Sequence, residues 1–199
     1  MNVNLVVMPA SPALVRELSP GDEAGARLRQ TLREVLAAAE PTRIELVGSQ
    51  DKRWHTGLSG SFQAWGAPQV SVGQGNHLPE LVQRYMLGDL ATRISGVREE
   101  LGQPDPEVLT LVAADGSAGL THRAPLTLLD TAPAADTWCR SLLAGENPEQ
   151  ELNRQQLTAA GIMETEPWLQ LAALRPKRAE LLQADTTLGV GRYVAAWEI

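Results

Sequence analysis

The chain has 199 residues, a formal net charge of −7, and hydrophobic and charged fractions of 43% and 21%, the balance of an ordinary globular protein rather than a disordered or fibrous one. The acidic excess speaks against non-specific binding to nucleic acid or an anionic membrane, both of which favour a basic surface. The single cysteine, Cys139, excludes an intramolecular disulfide and a thiolate zinc cluster.

One domain over residues 1–199 is expected, burying about 70% of the surface that the unfolded chain exposes. No segment approaches the ~20 apolar residues of a membrane span. The first eight residues lack the basic start and the apolar length of a signal peptide, so a cytoplasmic protein is expected.

In chain order, Val3 to Met8 is a β-rich run stopped by Pro9. From Asp22 to Glu40 the pattern turns helical, with Leu28, Leu32, Val35 and Leu36 on one face and arginines between them. Asp22 and Glu23 suit the positive end of its dipole, and Pro41 ends it. Ile44 to Val47 reads as a second strand. A long Gly- and Ser-containing loop follows to Pro68, carrying Trp54, His55, Phe62 and Trp65, with Gln69 to Val72 as a candidate strand. A helix is predicted from the Asn76–Pro79 region to about Ser95, with Leu78, Leu81, Val82, Tyr85, Met86, Leu90 and Ile94 as its apolar stripe.

Val108 to Ala114 is an apolar strand that runs into a loop of small residues, Asp115 to His122. Asp130 is then expected to cap a helix holding Trp138 and Cys139. Asn147-Pro148 is expected to cap a second that ends near Gly161, and Glu166-Pro167-Trp168 opens a third that breaks at Pro176. Leu188 to Ile199 reads as a closing strand, apolar on both faces. Strands alternating with helices in this order predict a three-layer α/β domain with a largely parallel sheet.

In such sheets ligands bind beyond the carboxyl ends of the strands. No P-loop, no G-x-G-x-x-G after the first strand and no G-x-S-x-G elbow is present. What remains at strand ends is His122 and Asp115 as candidates for acid–base catalysis, and Ser117, Asp51 and His55 for binding a substrate. Each also has a plain structural reading. His122 could fix its loop through a backbone carbonyl, Asp51 and Asp115 could cap the next turn, and His55 could be a stacked loop residue. Glu164 and Glu166 are adequately explained by the dipole of the helix they precede.

Gly116-Ser117-Ala118-Gly119-Leu120-Thr121-His122 resembles the loop that carries the acid/base histidine of class III extradiol ring-cleavage dioxygenases, catalytic-subunit type. The closing Leu188 to Trp197 resembles the end of an actinobacterial branch of that superfamily. The resemblance implies an αβα sandwich with a mixed sheet. It also implies Fe(II) held by two histidines and a glutamate, a facial triad open to substrate and oxygen. Here Ala10 stands where the first ligand belongs, Ser49-Gln50-Asp51 where the second belongs, and Glu164 or Glu166 is the nearest stand-in for the third.

The leading expectation is therefore a superfamily member with a degenerate iron site and no metal or other cofactor. Its ancestral cleft, rimmed by Ala10, Asp51, His55, Asp115, Ser117 and His122, would take a small molecule. One alternative is an active Fe(II) dioxygenase with altered ligands, drawn from Asp51, His55 or His122, and Glu164 or Glu166. Another is an interaction protein that uses the aromatic Trp54–Trp65 loop. Neither nucleic acid nor membrane is an expected partner, and a homo-oligomer remains open.

Overall fold

The structure, a computed structural model, describes residues 2–146, 148 and 151–199. A six-stranded sheet lies at its centre. Its strands are β1 (Leu5–Met8), β2 (Ile44–Val47), β5 (Ile94–Arg98), β6 (Leu109–Ala113), β7 (Arg178–Asp185) and β8 (Arg192–Glu198), in the spatial order β5-β2-β6-β1-β8-β7. The first four in that order are mutually parallel, while β8 runs antiparallel to β1 and β7 antiparallel to β8. The sheet is thus mixed, with helices on both faces.

Side-chain alternation along the strands divides the interior in two. Val6, Met8, Ile44, Leu46, Leu109, Leu111, Val194 and Ala196 pack with α1 (Glu23–Ala39) and α2 (Leu78–Leu87). Leu5, Val7, Val47, Val112, Tyr193, Ala195 and Trp197 pack with α3 (Ala132–Leu143) and α5 (Glu166–Ala173). Strands buried on both faces carry near-continuous apolar runs, which is why β6 and β8 read so clearly.

Local signals set most of the boundaries. The Asp22 side chain accepts from the Gly25 N–H at 2.8 Å and starts α1, and Glu40, at φ 42°, ends it before Pro41. The short helix α4 (Arg154–Ala159) begins with a capping box between Asn153 and Gln156. It therefore starts later than the expected Asn147-Pro148 cap; Asn147 itself lies outside the described residues. Thr131 rather than Asp130 occupies the N-cap of α3.

Three further expectations are corrected. The helix predicted to reach Ser95 stops at Leu87, where Gly88 takes φ 52° and ψ −122°, and Ile94 belongs to edge strand β5. β7, where no element was expected, is a second edge strand, only half-covered and without a clean apolar alternation. The expected strand near Gln69–Val72 is β4 (Ala67–Ser71), which pairs only with β3 (Ser61–Phe62) in a small ribbon outside the main sheet. Its Phe62 and Ala67 still add to the core on the α1–α2 side.

The helices that follow β1 and β2 pack on one face, whereas α3, which follows β6, packs on the other. Chain leaving neighbouring strands toward opposite faces opens a crevice at their carboxyl ends. Inside it, the buried Gln83 amide of α2 donates to the carbonyls of Val47 (2.9 Å) and Leu111 (2.7 Å), tying β2 to β6 just below the opening.

Candidate functional site

A cleft of ≈ 230 Å³ occupies this crevice. Ala10, Ser11 and Pro12 after β1 form one wall, and Ser49 and Trp54 after β2 form another. Leu78 and Pro79 at the start of α2, Ala118 and Pro125 in the loop after β6, Met163 and Glu164 before α5, and Val190 before β8 complete the sides. The floor is the end of β6 and its loop, Ala113 to Gly116.

Asp115 is the ionisable group of that floor, and several elements hold it. Its Oδ1 accepts from the Ala10 N–H at 3.1 Å, and the Ser11 N–H also reaches the carboxylate. Its backbone carbonyl accepts from Nε1–H of the fully buried Trp168 at 2.8 Å. The next residue, Gly116, donates its N–H to the Gly191 carbonyl at 2.7 Å. Glycine is required at both ends of that last bond, because a Cβ on Gly116 or Gly191 would lie 2.6 or 2.2 Å from the Tyr193 hydroxyl.

Burial pushes the Asp115 carboxyl up to about 7, against the lowering pull of the Ala10 and Ser11 N–H groups and of Arg192. A carboxyl poised there can both give and take a proton near neutrality, the property demanded of a general acid–base group. Among the described residues it has no ion-pair partner.

Glu164, the second acid of the cleft, is held differently. It accepts from Trp54 Nε1–H at 2.8 Å and pairs with Arg53 at 3.1 Å. The long loop after β2 is therefore ordered by reaching across to the segment before α5. Neither Trp54 nor Glu164 stood out as a pair, since 110 positions separate them in sequence.

The remaining sequence candidates disperse. Ser117 is fully buried, its hydroxyl donating to the Ala160 carbonyl and accepting from the Gly119 N–H at 3.0 Å, so it clamps the loop from behind. Asp51 caps the turn Lys52–Trp54 and lies outside the cleft lining. The Arg53 N–H, outweighing the small effect of burial and aided by the Arg53 charge, holds its carboxyl below the usual range. His55 is exposed outside the lining and packs edge-on against His77, with ring centroids 5.1 Å apart.

His122 is exposed as well and contributes nothing to the cleft lining, contrary to its expected place at the rim. The reason is the path of the loop. Ala118 and Leu120 donate to the Gly161 and Gly189 carbonyls, and a turn closed by the Ala124 N–H on the Thr121 carbonyl then carries His122 outward. Glu166 pairs with Arg154 on the surface.

The donor set does not fit an Fe(II) facial triad. Ala10 offers the cleft only a backbone N–H, and Asp51 and Glu164 are both engaged by Arg53. Among the described residues, no three His, Cys, Asp or Glu side chains gather into a group that could hold a metal. Likewise, no helix among them is long and apolar enough to cross a membrane. No protein-family model matches the chain, and no curated protein matches it.

Proposed function

We propose that the protein binds a small, mostly apolar organic molecule in the cleft beyond β1, β2 and β6, with Asp115 as the group that exchanges a proton with it. The observation that carries this reading is a carboxyl without an ion-pair partner among the described residues, raised to about 7, at the floor of a mostly apolar cleft. Leaving such a group in place works against stability, and clusters of this kind concentrate at functional sites.

In this reading the chain is a cytoplasmic, extradiol-dioxygenase-like protein of the actinobacterial branch whose iron site has degenerated. The resemblance of the Gly116–His122 loop, the mixed sheet and Ala10 at the first ligand position support it. The Ala10 N–H then binds the Asp115 carboxylate in place of a metal ligand's role in that wall.

The test is a screen of small neutral aromatic and aliphatic probes by NMR on the wild type and on Ala10→Phe, which fills the cleft. Saturable shifts around Asp115 and Trp54 that vanish in the variant are the expected result. Shifts that persist in Ala10→Phe, or that cluster elsewhere, would overturn the assignment of the cleft.

A further inference from the structure

Resting on the cleft reading above, we infer that the ligand is a compact hydrophobic amine, bound as its ammonium ion against the Asp115 carboxylate. Among the described residues, the lining contains two acids, Asp115 and Glu164, and no lysine, arginine or histidine. An anionic ligand would therefore enter an apolar site without a counter-charge, an arrangement that is strongly unfavourable.

Two arginines beside this site, Arg53 and Arg192, are already engaged. Arg53 pairs with Asp51 at 3.4 Å and Glu164 at 3.1 Å and is stacked on the Trp54 ring, 5.7 Å from its centroid. Arg192 is buried between Asp22 and Asp185, with the buried Arg29 also acting on Asp22, so these cations are matched by acids of their own. The positive end of α2 at Leu78 and Pro79 opposes a cation, but Pro79 presents no N–H and Glu80, paired with Arg84, places a carboxylate in the first turn.

Asp115 then presents the complementary half of a charge-assisted bond. The Ala10 and Ser11 N–H groups fix its orientation, and an ammonium would supply the missing ion-pair partner. Trp54 adds an aromatic wall that favours a cation or its apolar body. At ≈ 230 Å³ the cleft lies below the roughly 300–1,000 Å³ of sites for drug-sized molecules, which sets the ligand as a compact one.

Two probe series decide it, one on a phenylethyl and one on an n-pentyl body, each as amine, alcohol and carboxylate, titrated calorimetrically into the full-length protein. In at least one series the amine is expected to bind about ten-fold tighter than the alcohol, with the carboxylate weakest. Asp115→Asn is expected to erase the amine–alcohol gap while leaving alcohol affinity within about three-fold. Alcohols that bind as tightly as amines would overturn the amine inference and leave the cleft reading standing. A gap that survives Asp115→Asn would also overturn it, by removing the carboxylate from recognition. Failure of every probe, alcohols included, would overturn the cleft reading itself.

Discussion

Replacing Asp115 by asparagine should make the protein more stable, and increasingly so as pH rises. The Asp115 carboxyl has an ordinary value of 3.8 and is pushed up to about 7 by burial. An acid whose folded-state pKa exceeds its unfolded one holds its proton more tightly when folded, so folding stability falls as pH rises between the two values. The penalty is absent below about 3.8, grows by about 1.4 kcal/mol per pH unit, and levels off above about 7 at no more than about 4 kcal/mol. Asp115 is partly exposed to solvent, which screens part of this penalty and leaves roughly 2–3 kcal/mol. Asparagine keeps the acceptor for the Ala10 N–H and removes the titration.

The assay is urea unfolding of both proteins from about pH 5 to about pH 9, a range above that in which Asp22 protonates. Any fixed cost of the amide cancels in the change with pH. The advantage of Asp115→Asn should grow by about 2 kcal/mol between about pH 5 and about pH 8 and then level off. A difference that stays flat across this range would show that the carboxyl titrates as an ordinary solvated acid, and the acid–base role would fall with it.

Three other outcomes follow from the same contacts. Trp168→Phe orphans the Asp115 carbonyl and should cost about 1–3 kcal/mol in chemical denaturation; an unchanged midpoint would mean that the indole N–H does not hold the loop. Arg192→Met leaves Asp22 and Asp185 buried without their counter-ion and should cost about 3–5 kcal/mol, whereas Arg154→Ala, which removes only the exposed pair with Glu166, should cost under about 1 kcal/mol. Similar losses for both would contradict the assigned burial of the Arg192 cluster. Deleting residues 189–199 removes β8 from between β1 and β7 and takes Trp197 out of the core, so the truncated chain should be insoluble or molten. Native-like circular dichroism with an unshifted melting temperature would show that β8 is dispensable to the sheet.

Elements in which every local signal agrees were legible from the sequence alone. β2 and the apolar stripe of α1 needed only periodicity and a capping aspartate, and β6 and β8 declared themselves as runs apolar on both faces. Edge strands β5 and β7 lack that signature because water replaces half of their neighbours. Asp115 was legible as a strand-end acid. Its raised pKa was not, because the burial that raises it comes from cleft walls far away in sequence, such as Ala10–Pro12 and Met163–Glu164, that meet only in the folded chain.

The same limit explains Ser117, His122 and the Trp54–Glu164 pair. Small residues after β6 promise a loop at the sheet's edge, but its course depends on which distant carbonyls it can reach. Those of Gly161, Gly189 and Gly191 fold it back, bury Ser117 and turn His122 to the surface. Sequence thus determined the layers, most of the elements and the end of the sheet where the cleft lies, since these follow from short-range periodicity. Which side chains meet there was decided by long-range backbone hydrogen bonds and burial, which exist only in the folded chain.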